Sequence, residues 1–227
     1  SMSLRHKAIH GLSWSFASRM GSQVAQLAIM IALARILTPK DFGEVSMVLV
    51  FTGFAQVLSD GGLGAAIIHR QKITARECSS VFWLQLGIGS ILFCAFVTAA
   101  PLIANFYQLS ILAPLSQVIA LTFLLQSLGS IQIALLTKHM QFRAVAIATL
   151  VSAFSGGLVA LTLALLGYGV WALAWQPVIT GFMQTLILWH QSTWRPRLEF
   201  DLTAALDLGR YGGYPVSYTH LRAHETV

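Results

Sequence analysis

Long apolar runs dominate this sequence, and they constrain its fold more than any single motif does. Of its 227 residues, 56% are hydrophobic and only 10% are charged, whereas a soluble domain carries about 25% charged residues. A water-facing surface cannot be built from so few charges. Because a membrane-spanning helix needs about 20 apolar residues, the sequence predicts an all-α integral membrane protein.

Six apolar runs follow one another, separated by short polar connections. Their predicted bounds are Leu12–Leu37, Phe42–Ile68, Val81–Ala104, Ile111–Leu136, Ala144–Leu166 and Val170–Trp189. Thr38-Pro39 is a helix stop after the first run, and Gly167-Tyr168-Gly169 is a turn before the sixth. The first run is too long for a cleaved signal peptide. Residues 1–206 are therefore predicted to form one N-terminal lobe of six transmembrane helices.

The end of the chain departs from this pattern. Residues 207–214 are expected to begin a truncated seventh helix, because residues 215–227 are polar and contain no apolar run. The segment 215–227 resembles a translated sequencing-adaptor sequence, so we interpret it as a non-native tail and exclude it from the fold prediction. The alternative is a short natural tail. On the first interpretation, the chain is half of a longer protein.

The charges of the connections alternate in a way that predicts membrane orientation. One set of connections carries nine basic residues: Arg5, Lys7, Arg70, Lys72, Arg76, Lys138, Arg143, Arg195 and Arg197. The opposite set carries two, Arg35 and Lys40. Since connections rich in Lys and Arg stay in the cytoplasm, we expect a multi-pass membrane protein with a cytoplasmic N-terminus.

Residues typical of catalytic and metal sites form no recognisable set. The seven histidines are scattered, no H-E-x-x-H motif occurs, and the glycine pairs lie in apolar runs without the spacing of a phosphate-binding loop. We therefore predict no enzyme, no catalytic residue, no metal site and no cofactor. The basic residues lie between apolar runs rather than on one clustered face, so a nucleic-acid partner is not expected.

The first run contains the most informative polar residues. Arg19 lies about eight residues into it, roughly 12 Å of helical rise. Ser15, Ser22, Gln23 and Gln26 follow the i−4, i+3, i+4 and i+7 spacing that puts them on the same helical face as Arg19. A guanidinium at this depth suits a wet cavity that receives phosphate. The alternative is that Arg19 snorkels to the headgroups while the other four join helices.

Two further positions are candidates for transport functions. Asp60, next to glycines that could unwind the helix, is a candidate coupling site for H⁺ or Na⁺, although it could simply cap a helix end. Pro177 should kink the sixth run and is a candidate hinge, although ordinary packing bends are commoner. Gly156-Gly157 are expected to permit close helix contact.

Five short motifs occur in a characteristic order. They are Ala34–Gly43, Asp60–Ile68 with Arg70-Gln71, Ala100–Tyr107, Met140–Arg143 and Gly167–Leu173. In these motifs, and over about residues 10 to 213, the chain resembles the polysaccharide flippases of the multidrug/oligosaccharidyl-lipid/polysaccharide exporter superfamily, particularly the lipopolysaccharide and exopolysaccharide exporters. The second half of such a protein is missing here.

The resemblance implies a transporter of 12 to 14 helices, with two six-helix lobes around a central cavity. It also implies a protein of the bacterial inner membrane. Its substrate would be oligosaccharide on undecaprenyl diphosphate, moved from the inner to the outer leaflet by rocking of the lobes and coupled to an ion gradient. Basic residues in the cavity would meet the diphosphate, which fits the position of Arg19. Membrane lipids, a polysaccharide polymerase and assembly proteins are the other expected partners.

Two other functions are open to such a chain. A cation-coupled multidrug exporter of the same superfamily would need acidic residues in the cavity, and the first run offers Arg19 and no acid. A non-transporting scaffold of a polysaccharide assembly complex would place its working residues in a large external loop, and the external loops are short.

Overall fold

The computed structural model describes residues 20–60, 67–68, 73–198 and 201. These residues form six helices and no strand: α1 Met20–Ile36, α2 Pro39–Asp60, α3 Ala75–Tyr107, α4 Leu112–Lys138, α5 Phe142–Leu165 and α6 Val170–Gln191. The all-α prediction and the order of the helices are confirmed. The predicted seventh helix at 207–214 and the tail at 215–227 lie outside the described residues.

Three of the helices, α3, α4 and α5, are long and apolar enough to cross a membrane by length and composition. The described part of α1 is apolar but shorter. Large apolar side chains cover the outside of the bundle; examples are Leu27 on α1, Ile91 on α3 and Phe154 on α5, all more than half exposed. An apolar exterior of this extent matches contact with lipid tails rather than with water.

Local capping fixes where two of the helices begin. At Thr38 the backbone N–H donates to Asp41 Oδ2 at 2.8 Å, and the Asp41 N–H donates to Thr38 Oγ1 at 3.4 Å. Pro39 then occupies the first helical position, where its missing N–H costs nothing. Thr38-Pro39 thus ends α1, as predicted, and also begins α2 after a turn of only two residues.

The start of α3 shows the same device and lies six residues before the predicted bound at Val81. Thr74 and Glu77 form a capping box: the Thr74 N–H donates to Glu77 Oε2 at 2.7 Å, and the Glu77 N–H donates to Thr74 Oγ1 at 3.2 Å. Hydropathy alone missed this start because the first turns of α3 are polar. The helix also runs through Pro101 and ends three residues after the predicted Ala104.

The helices run up and down, so their connections gather at two ends. At the turn end, the α1–α2, α3–α4 and α5–α6 turns lie over buried Val45, Ile103, Leu115 and Val170. At the basic end, the start of α3, the end of α4 and the end of α6 pack together through residues Val81, Phe82, Ile131, Trp189 and Trp194. This arrangement agrees with the alternation of connections in the sequence; which end faces the cytoplasm stays a prediction.

Candidate functional site: a neutral polar cavity

A half-open cavity of about 820 Å³ lies between α1, α2, α4 and α6. Its volume falls within the range of small-molecule sites, about 300–1,000 Å³. Of the described residues, none from α3 or α5 lines it. The polar side chains of its lining are Gln26, Ser46, Thr52, Thr122, Gln126, Ser130, Gln176, Thr180, Gln184 and Thr185.

Six of these side chains form two stripes. The α4 stripe consists of Thr122, Gln126 and Ser130, and the α6 stripe consists of Gln176, Thr180 and Gln184. Within each stripe the spacing is i, i+4 and i+8, which places successive residues on one helical face. Apolar side chains such as Leu125 and Leu173 also line the cavity.

The hydroxyl groups of the stripes already donate hydrogen bonds within the protein. Thr122 Oγ1 donates to the Ile119 carbonyl at 2.6 Å, and Thr180 Oγ1 donates to the Gln176 carbonyl at 2.8 Å. Ser130 Oγ donates to Gln85 Oε1 at 2.5 Å, which ties the cavity wall to α3 behind it. These hydroxyls can still accept a hydrogen bond, but they have no second proton to donate.

The glutamines differ from the hydroxyl groups. The side-chain amides of Gln26, Gln176 and Gln184 make no hydrogen bond within the described part of the chain. Each amide can donate two hydrogen bonds and accept two. The cavity therefore presents its spare hydrogen-bonding capacity mainly as primary amides.

The described lining of the cavity also carries no Asp, Glu, Lys, Arg or His. The described carboxylate that is buried, Glu44 on α2, lies outside the lining and pairs with Lys40 Nζ at 3.7 Å. The burial of Glu44 was not predicted from the sequence, because this residue lies close to the α1–α2 connection. Where it is described, the cavity is electrically neutral, and its polar side chains lie within a larger apolar surface.

The structure separates the site residues that the first run suggested. Gln26 lines the cavity. Ser22 is buried and Gln23 is exposed, and neither contributes to the described lining. Ser15 and Arg19 lie outside the described residues. The substrate-binding role of all five stays a prediction.

The two other candidates have different outcomes. Pro177 lines the cavity next to Gln176, and α6 continues through it from Val170 to Gln191. Asp60 is the last residue of α2, and its side chain is not among those that the structure describes. Their roles as hinge and coupling site remain predictions.

Close helix contact at the paired glycines is confirmed. A Cβ atom added at Gly156 would collide with Thr180 Oγ1 and lie 2.9 Å from the Gln176 carbonyl oxygen. At Gly157 it would collide with Ile29 of α1. Gly156 thus allows the α6 stripe to pack closely against α5, and Gly157 allows α1 to pack closely against α5.

A second polar region lies at the basic end, where the chain leaves α6. We call residues 192–198 and 201 the strap. The strap crosses the start of α3: Trp83 Nε1 donates to the Arg197 carbonyl at 2.8 Å, and the Arg197 N–H donates to Ser79 Oγ at 3.0 Å. The Asp201 N–H donates to Ser80 Oγ at 2.9 Å.

Arg195 holds the beginning of the strap to α6. Its guanidinium donates to the carbonyls of Ser192, Trp194 and Trp189 at 2.7–2.9 Å. It also lies 5.5 Å from the centre of the Trp189 ring, within the range of a cation–π contact. The Arg195 guanidinium therefore makes its hydrogen bonds to backbone carbonyls of the protein itself.

The fold and the cavity define a multi-pass α-helical membrane protein with an internal ligand-sized site. The chain belongs to the family described as polysaccharide biosynthesis protein, which it matches over residues 32–223. The family resemblance inferred from the five motifs is thereby confirmed.

Three curated relatives are similar along most of the chain. The succinoglycan biosynthesis transport protein of Rhizobium meliloti is 32% identical over 88% of this chain and 40% of its own length. The teichuronic acid biosynthesis protein of Bacillus subtilis is 28% identical over 95% of the chain and 45% of its own length. The lipopolysaccharide biosynthesis protein of Escherichia coli is 28% identical over 94% and 44%. The chain thus spans about two fifths of these relatives. No solved structure matches it.

Proposed function

We propose that the protein to which this chain belongs exports a polysaccharide precursor, oligosaccharide linked to undecaprenyl diphosphate, across the bacterial inner membrane. The observation that carries the proposal is the neutral, amide-lined cavity inside a bundle of apolar exterior. A relative named as a transport protein of succinoglycan biosynthesis supports it. This chain would supply one lobe, with its N-terminus in the cytoplasm.

In this mechanism the lobe alternates between two arrangements that open the cavity to one leaflet and then to the other. Pro177 lies in the cavity wall, where a change of bend in α6 would move the α6 stripe. Arg19 precedes Gln26 by seven residues, a spacing that predicts the same helical face, and it would bind the diphosphate. Asp60 would take up the coupling ion, H⁺ or Na⁺, in the same cycle.

A multidrug exporter is less well supported. A cavity that attracts cationic drugs gains from an acidic side chain, and the described lining has none. A scaffold without transport activity would have no use for cavity amides such as those of Gln176 and Gln184, which have no hydrogen-bond partner among the described residues. The proposed protein is accordingly a transporter and not an enzyme, working beside the polymerase and assembly proteins that use its product.

Complementation tests the proposal. A full-length gene containing this chain is expressed in a producing strain that lacks its own exporter, and surface polysaccharide is measured together with membrane insertion. Restored polysaccharide is expected. Full insertion without any polysaccharide, while lipid-linked precursor continues to be made, would contradict export.

Arg19→Ala is expected to reduce surface polysaccharide at least tenfold with normal insertion, and Arg19→Lys should restore it only in part, because an ammonium lacks the two-pronged donor set of a guanidinium. Arg35→Ala is the matched control: Arg35 is exposed near the C-terminal end of α1 and lies outside the cavity lining. Normal polysaccharide in Arg19→Ala would reject the diphosphate role of Arg19 alone.

A further inference from the structure

We infer that the α6 stripe, beside the α4 stripe in the cavity lining, binds the uncharged sugar units of the substrate and determines which sugars are accepted. The inference rests on the proposed function and deepens it. It assigns sugar recognition to Gln176 and Gln184, two residues that the sequence did not single out for binding, and it separates this subsite from that of the diphosphate.

The charge of the lining is the first argument. A diphosphate or an acidic sugar placed against the stripes would lose water without gaining a counter-charge, because the described lining has no cationic side chain. Burying an unpaired anion is far costlier than burying a neutral hydroxyl group. The stripes are therefore suited to a polar ligand without charge.

The hydrogen-bonding groups of the stripes further restrict the class of ligand that the cavity can bind. A sugar hydroxyl both donates and accepts, and so does a primary amide. The amides of Gln176 and Gln184 have no partner within the described residues. The hydroxyl protons of Thr122 and Ser130 on α4 are already donated within the protein, so these two groups can only accept. A sugar ring in the cavity, lying against both helices, could donate to the α4 stripe and both donate to and accept from the α6 stripe.

The shape of the cavity fits a chain of sugars. Eight residues separate Gln176 from Gln184, which corresponds to about 12 Å along the helix and exceeds the length of one sugar ring. Leu125 and Leu173 in the lining offer apolar surface for the C–H faces of the rings. Gly156 lies against Thr180 and Gln176, so the α6 stripe is held in place before a ligand arrives, which lowers the entropic cost of binding.

A competition assay tests the inference. Purified full-length protein in lipid nanodiscs is loaded with radiolabelled lipid-linked oligosaccharide extracted from the producing strain. Two unlabelled competitors are then titrated: the free oligosaccharide released from the same lipid, and undecaprenyl diphosphate without sugar. The variants are Gln176→Leu and Gln184→Leu, with Gln117→Leu as a matched control because Gln117 is an exposed residue of α4 outside the cavity lining.

Each cavity variant is expected to weaken competition by free oligosaccharide about three- to tenfold, the effect of losing one or two hydrogen bonds. Competition by undecaprenyl diphosphate should stay unchanged, and Gln117→Leu should change neither. Gln184→Asn, which keeps an amide, should retain part of the sugar affinity. All variants are compared at equal monodispersity in size-exclusion chromatography, so that a folding defect is recognised.

Two results would overturn the inference: equal loss against both competitors, or unchanged sugar competition in both leucine variants. In either case the wild-type protein still binds the labelled precursor and restores surface polysaccharide, so the proposed function would survive. If the wild-type protein fails to bind the precursor at all, the proposed function falls and the sugar subsite falls with it.

Discussion

The strap and the cavity are both polar regions in an otherwise apolar bundle, but they use their polar groups differently. In the strap, Arg195 and Trp83 donate to backbone carbonyls, and backbone N–H groups donate to Ser79 and Ser80. In the cavity, the amides of Gln176 and Gln184 have no partner within the described chain. Paired polar groups contribute to stability, whereas unpaired ones facing open space are available to a ligand.

Polar groups that stabilise the fold can therefore be distinguished from polar groups available to a ligand by their hydrogen-bond pairing rather than by their charge. The strap contains the basic residues, yet the guanidinium of Arg195 is committed to three carbonyls. The cavity is neutral, yet it has the hydrogen-bonding capacity that a substrate needs. Substitutions should therefore lower stability in the strap and lower ligand binding in the cavity.

The largest expected effect is at Gly156, where the cavity wall depends on close packing. Gly156→Ala should destabilise the protein by about 2–3 kcal/mol, because the added methyl group collides with Thr180 and forces α6 away from α5. Thermal unfolding of the full-length protein in detergent measures it. Gly87→Ala is the control, since a Cβ atom there meets no atom within 4 Å. An unchanged unfolding midpoint in Gly156→Ala would show that the α5–α6 contact is not a determinant of the wall.

Gln132 on α4 sharpens the comparison from the opposite side. It is fully buried, and neither atom of its side-chain amide that can hydrogen bond has a partner within the described residues. Its amide is therefore not hydrogen-bonded as the polar groups of the strap are, and it is not accessible to a ligand as the cavity amides are. Gln132→Leu should stabilise the protein by about 1–3 kcal/mol, the cost of an unsatisfied buried polar group, with normal polysaccharide export. A lower unfolding midpoint would mean that Gln132 gains a partner in another conformation.

Arg195→Met tests the strap itself. Losing the three hydrogen bonds and the ring contact should cost about 1–2 kcal/mol, while competition by free oligosaccharide stays normal. Arg197→Met is the matched control, because Arg197 takes part through its backbone N–H and carbonyl, which the substitution keeps. A strap variant that alters sugar binding but not stability would contradict the division of roles.

The smallest expected change is in the stability of the cavity variants. Gln184→Leu removes no hydrogen bond within the described protein, so its unfolding midpoint should stay within about 0.5 kcal/mol of wild type. The same variant loses sugar affinity in the competition assay. A large stability loss would show that the amide has a structural partner, and the comparison with the strap would fail.

Much of the fold could be predicted from sequence because the signals for it are local. Thr38-Pro39 and Gly167-Tyr168-Gly169 mark turns that the structure confirms. The bound of α3 was misplaced because hydropathy does not register a capping box such as Thr74 with Glu77. The i, i+4, i+8 spacing of Gln176, Thr180 and Gln184 is also visible in the sequence. The same spacing would occur on a helix face packed against a neighbour, however, and only the tertiary structure shows that these three side chains line a cavity.

The sequence by itself determined the helical class, the order of the six helices and the family, because apolar runs, caps and motifs are properties of neighbouring residues. Only the tertiary structure decided which polar residues share a cavity. Gln26 lines it while Gln23 on the same helix does not, and Gln126 lines it while Gln132 is buried. The physical reason is helix rotation: contacts between distant residues, such as Gly157 with Ile29 and Gly156 with Thr180, set the face that each helix turns inward.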